Sequence, residues 1–196
     1  MKWFRPIECD NTAENPFVCD YDNFEEYGYD QFSFKKGVRI EDWSNAVFMQ
    51  AKEPNDDGNP DDALQNHLMI PIYAKRLIKE LENANIIGIQ YLPIRILRPN
   101  NDCLDGFSIA NVLNFIEAFD YEKSLYNRFS EDFPNPIKRG QLAGVRKFVL
   151  KKDRIEGFDI IRLKDYKLSF FVSEKFVDIF EKNKFTGYSF IEVELV

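Results

Sequence analysis

Histidine occurs once in this chain, at position 67. A Ser-His-Asp or Cys-His nucleophile pair therefore has to use His67 or does not exist. Cysteine occurs three times, at Cys9, Cys19 and Cys103, with no CxxC spacing. That sparse, odd set argues against a disulfide framework and a zinc site, and it fits a reducing, cytoplasmic setting. There is no GxxxxGK[ST] and no GxGxxG, so no phosphate cradle is visible. The opening "MKWFRPIECD" has no apolar run leading to a small-residue cleavage site, as a secretory signal would. No stretch approaches the ~18 apolar residues of a membrane span. Positive charge is also short: 26 Lys and Arg stand against 33 Asp and Glu, a net −7. Such a chain is repelled by phosphate backbones and anionic lipid, so neither nucleic acid nor membrane is expected as a partner. A basic protein would be attracted, although the charge also serves simple solubility.

Apolar residues are plentiful. They make up 44% of 196 residues and include 19 Phe. That is enough for a real core. Residues 1–62 are aromatic, acidic and irregular. Tyr27, Tyr29, Phe32, Phe34, Val38 and Ile40 alternate between Gly breaks, which predicts short strands or extended segments pinned by their aromatics to the core. "EPNDDGNPDD" then predicts a loop, with Asp61 or Asp62 placed to cap a nearby helix. It has the carboxylate density of a calcium loop but not the alternating ligands and closing Glu.

Residues 63–196 read as the main α+β body. Tyr73, Leu77, Leu81 and Ala84 recur at helical spacing, Asn85 marks a stop, and Ile86–Leu97 reads as a strand. The end of the chain repeats this pattern. Gly187 lies 99 positions after Gly88, and at that offset Leu77 meets Phe176, Leu81 meets Phe180, and Tyr91 meets Phe190. Ser173 and Glu174 suit the start of the second helix, and Ile191, Val193 and Leu195 alternate with Glu192 and Glu194. Two helix–strand units, about 70–97 and 172–196, are thus expected on a mixed or antiparallel sheet. Between them, Phe107–Phe115 reads as a strand and Phe129–Gly144 as a loop. Val145–Leu150, Phe158–Leu163 and Leu168–Val172 read as an antiparallel meander. "DYEKS", Asp120 to Ser124, fits a strand exit or cap. His67 fits a capping or surface position.

No catalytic residue, metal ligand or cofactor site emerges from these patterns. A family resemblance carries the rest. "IQYLPIRIL", "IANVLNFIEAFDYEKS" and "FDIIRLKDYKLSFFVSEKFVDIFEKNKFTGYSFIEV" occur in that order. With Pro93, Asn111, Asp120, Ser124 and Gly187, they resemble a bacterial immunity-protein family of polymorphic-toxin systems, immunity protein family eleven. The likeness covers about Met69–Val196. It implies a non-enzymatic cytoplasmic antidote that binds and blocks a cognate toxin, here expected to be basic. Candidate contact residues are Asp56, Asp57, Asp61, Asp62, Asp102, Asp105, Asp120 and Glu122. The alternatives are an interaction domain unrelated to toxins, or a carboxylate-based hydrolase, which would need two acids in a deep pocket.

Overall fold

A computed structural model describes residues 1–8, 17–51 and 59–196; Cys9, Asp56 and Asp57 lie outside them. The fold is α+β. In chain order its elements begin with β1 (Trp3–Glu8), β2 (Val18–Asp22), β3 (Phe48–Ala51), β4 (Gln65–Asn66), β5 (Ile72–Ala74), α1 (Lys75–Asn83), β6 (Ile89–Leu97) and β7 (Cys103–Val112). They continue with β8 (Phe115–Ile116), β9 (Leu125–Arg128), β10 (Leu142–Lys147), β11 (Val149–Leu150), α2 (Lys152–Ile155), β12 (Ile160–Leu163), β13 (Phe170–Ser173), α3 (Glu174–Lys182) and β14 (Tyr188–Leu195). One six-stranded sheet runs β4-β2-β3-β6-β7-β5, the other β11-β14-β1-β13-β12-β8, and β9 pairs with β10 alone.

The two helix–strand units follow the same path. In the first, β5 leads through α1 to β6, and β7 lies between the two strands, antiparallel to both. In the second, β13 leads through α3 to β14, and β1 fills the same middle place, again antiparallel to both. Even the outer neighbours agree, since β3 runs parallel to β6 and β11 parallel to β14. Each helix ends on a left-handed residue, Asn85 at φ 56 and Lys184 at φ 53, and each turn holds a left-handed glycine. The glycines are required by close approach. A Cβ on Gly88 would come within 2.0 Å of the Asn114 side chain, and one on Gly187 within 2.0 Å of the Ala63 carbonyl.

Strand alternation divides the core into three. Leu77, Leu81, Phe176 and Phe180 from the helices meet Val112, Ile160 and Val172 from the sheets in a central cluster shared by both units. Leu92, Ile94, Ile96, Phe107 and Ile109 face the other way, onto Phe17, Phe24, Phe34 and Met49 of the N-terminal segment. Trp3, Ile161, Leu163 and Phe171 face a third cluster with Phe119 and Phe148.

Several local expectations change. The stretch from Tyr27 to Phe34 is not extended; it forms two 3-10 turns, Phe24–Tyr27 and Ser33–Lys35. Side-chain bonds to backbone amides at Asp22 and Asp30 outcompete strand pairing there. Strand β6 starts at Ile89 rather than Ile86, because the Gly88 turn comes first. Asp61 and Asp62 cap no helix, since α1 begins only at Lys75. Ser173 occupies the N-cap position of α3, but its hydroxyl bonds Asp159 at 2.7 Å instead of a helix amide. Of the three meander runs only β12 and β13 pair; β11 leaves to run parallel to β14, and β10 joins β9. The expected 107–115 strand is β7, which starts earlier and ends before Asn114. The expected 129–144 loop already contains the start of β10. The opening residues form β1, with Trp3 buried. Pro6 is tolerated because β13 pairs only with Trp3 and Phe4, leaving β1 a one-sided strand beyond.

Candidate protein-binding surface

The described acids among those expected to mark a contact surface do not gather in one place; Asp56 and Asp57 lie outside the described residues. Asp62 is buried: its Oδ2 accepts a bond from the Thr186 amide at 3.0 Å and pairs with Arg76. Asp61 is buried beside it, against Gly187. Asp120 is buried too, its Oδ1 accepting from the amides of Glu122 at 3.0 Å and Lys123 at 2.8 Å. Ser124 completes that turn by accepting the Val149 amide at 3.0 Å. "DYEKS" is therefore a backbone-capping device. Asp102, Asp105 and Glu122 are exposed. Asp102 sits in the β6–β7 turn beside Asn100, at 2.8 Å, whereas Asp105 faces a cavity next to α1.

A different acidic surface is assembled by β2, the first 3-10 turn and the segment after it. Asp20, Asp22, Glu25, Glu26 and Asp30 line a cleft of about 520 Å3, with Tyr21, Phe24, Tyr29, Phe32 and His67. Among the described residues no Lys or Arg lines it. The local sequence "DYDNFEEYGYDQF" builds it directly. Asp22 Oδ1 accepts the Phe24 amide at 2.8 Å and starts the 3-10 turn. Gly28, at φ 78, ends it in the left-handed conformation. Asp30 Oδ1 then accepts bonds from the amides of Phe32 at 2.9 Å and Ser33 at 2.7 Å. The Ser33 hydroxyl leads in holding the Asp30 carboxyl below its ordinary value.

The floor is rigid. Phe24 packs edge-on to Phe34 at 5.3 Å, Phe34 meets Trp43 at 5.9 Å, and Tyr29 meets Trp43 at 5.1 Å. Trp43 Nε1 donates to the Pro93 carbonyl at 2.7 Å, tying the segment to β6. The rim is apolar yet exposed: Tyr21 is 55% and Phe32 45% exposed. His67 is a surface residue, its Nε2 3.1 Å from Asp22 Oδ2. Exposed aromatics on a fixed support, surrounded by charge of one sign, are the composition of protein-recognition patches. The signal was present in the sequence as acids interleaved with aromatics. Those aromatics also look like core anchors, and Phe24 is one.

Among the described residues no group of three His, Cys, Asp or Glu is placed to hold a metal ion. No described helix is long and apolar enough to cross a membrane.

The sequence comparison places this fold in a known family. Residues 4–195 match the immunity protein family (Imm11), so the chain belongs to that family. A search of curated proteins gave no match.

Proposed function

We propose that this chain neutralises a cognate bacterial toxin domain by binding it directly, without turnover, and that the toxin face it covers is basic. Membership of an immunity family across nearly the whole chain carries this reading. The acidic cleft supplies a contact surface consistent with it. Steering by Asp20, Glu25, Glu26 and their neighbours would speed encounter, and Tyr21, Tyr27 and Phe32 would anchor the docked state. Binding placed there leaves both helix–strand units to serve as scaffold.

The test uses the toxin domain encoded beside this chain. Co-expression is expected to rescue growth, and the purified pair is expected to associate with an affinity that falls as salt rises. The double substitution Glu25→Lys with Glu26→Lys changes two exposed side chains that hold no turn together. It is expected to weaken binding by roughly 10- to 100-fold, mostly through slower association. Failure of rescue by the unmodified chain would overturn the reading. Rescue that is indifferent to the double substitution would move the contact surface elsewhere.

A further inference from the structure

Arg162 is the least expected residue in the core. It is fully buried on the short strand β12, at 0% exposure. It shares a face with Ile160, so its side chain enters the central cluster between the two units. One nitrogen, Nη1, donates to the Lys167 carbonyl at 2.6 Å. The other two, Nε and Nη2, have no acceptor among the described residues. Phe170 lies under the guanidinium at 5.8 Å, a contact that satisfies charge weakly and hydrogen bonding not at all. The hydroxyl of nearby Tyr73 is likewise buried, with the Tyr188 phenol as its neighbour among the described polar groups and the two rings 6.2 Å apart.

A second buried cation stands close by. Lys35 is 1% exposed and donates to the Leu68 carbonyl at 2.8 Å. Burial, followed by repulsion from Arg162, pushes its ammonium down to about 8. Burial likewise pushes Arg162 down to about 10. Among the described residues the one carboxylate that acts on Lys35 is Glu8, which burial pushes up from its ordinary range. Two stripped cations against one reluctant carboxylate leave a residual positive charge in the interior. An uncompensated buried charge of that kind is strongly destabilising. Natural cores retain such groups where something neutralises them.

We propose that Arg162, Lys35 and the Tyr73 hydroxyl form an internal site for one monovalent anion, at the seam between the N-terminal segment and the two helix–strand units. A single negative charge balances the cluster, and the two free guanidinium N–H directions with the phenol supply convergent donors. Bound there, the anion acts as a structural clasp rather than a substrate. The site is independent of the acidic cleft and of any toxin.

Bromide is a suitable probe. The unfolding midpoint of the full chain is measured while sodium bromide replaces sodium gluconate at constant ionic strength. The expected result is a saturable rise of several degrees, as mass action requires of a ligand bound only by the folded state. Arg162→Met should abolish the dependence, and Lys35→Met should weaken the apparent bromide affinity at least tenfold. Crystals of the unmodified chain soaked in bromide should show an anomalous peak beside Nε and Nη2 of Arg162, a readout that does not rely on any variant folding. A linear salt response shared by all three proteins, or no peak at the guanidinium, would overturn the proposal.

Discussion

The two helix–strand units share a path but not a closure. In the first, the middle strand β7 follows β6 directly through a short turn, with Leu97 opposite Cys103. In the second, the middle strand is β1, which pairs Trp3 with Val193 across almost the whole chain. The first unit can close on local contacts, whereas the second must wait for a distant partner. The same architecture is therefore reached at different entropic cost, and the second unit leans more heavily on its neighbours. The turn glycines show this. Gly88 is pressed by a side chain, Asn114, and Gly187 by backbone, the Ala63 carbonyl.

The largest expected effect sharpens that contrast. Gly187→Ala forces a left-handed alanine into a main-chain carbonyl and should cost about 3 kcal/mol or more. Gly88→Ala meets the same backbone strain but a side-chain amide, which can give way at the expense of its own hydrogen bonds, and should cost about 2 kcal/mol. Urea denaturation of both variants decides it, and equal losses would erase the distinction between the units. Next come the ties across the seam. Asp62 holds the Thr186 amide of the second unit, and Asn114 Nδ2 bridges the carbonyls of Ile87 at 3.3 Å and Ile160 at 2.9 Å. Asp62→Ala should cost about 2–3 kcal/mol because the buried bond is to a charged acceptor, and Asn114→Ala about 1–2 kcal/mol. The same denaturation curves are expected to keep that order.

The smallest effect concerns pH. Lys35, at about 8, lies below the ordinary lysine value of 10.5, so the charged form is disfavoured in the folded chain. Between those values the unfolded chain holds a proton that the folded chain has released, and stability rises with pH. Cys19, pushed up to about 12 by burial, acts in the opposite direction only above its ordinary 9.0. The window from pH 8 to 9 therefore isolates Lys35. The unmodified chain should gain stability across it relative to Lys35→Met, and parallel pH profiles for the two would remove Lys35 from the account.

Much of the scaffold was legible because its determinants are local. Leu77 and Leu81, Phe176 and Phe180, and the two glycines declare a helix, a turn and a strand within some twenty residues each. What was hidden depends on partners far away. Trp3 looks like a lone aromatic until Val193 arrives. Asp62 looks like a loop acid until Thr186 accepts the role of donor. Arg162 looks like an ordinary strand-edge charge, since its sequence neighbours say nothing of Tyr73 or Lys35. The acidic cleft falls between these cases. Its residues are nearly contiguous, but which aromatics point inward is set by the turns at Asp22 and Asp30, which the spacing alone does not reveal.

The seating of β1 against β14 also has a mechanical meaning. Trp3 and Val193 lie at the same end of an antiparallel ladder, so a force drawing those two positions apart loads its hydrogen bonds one after another and peels the strands open. Tethers attached at that end would unfasten the second unit at low force. Tethers attached within β7 and α3 would have to shear the shared core.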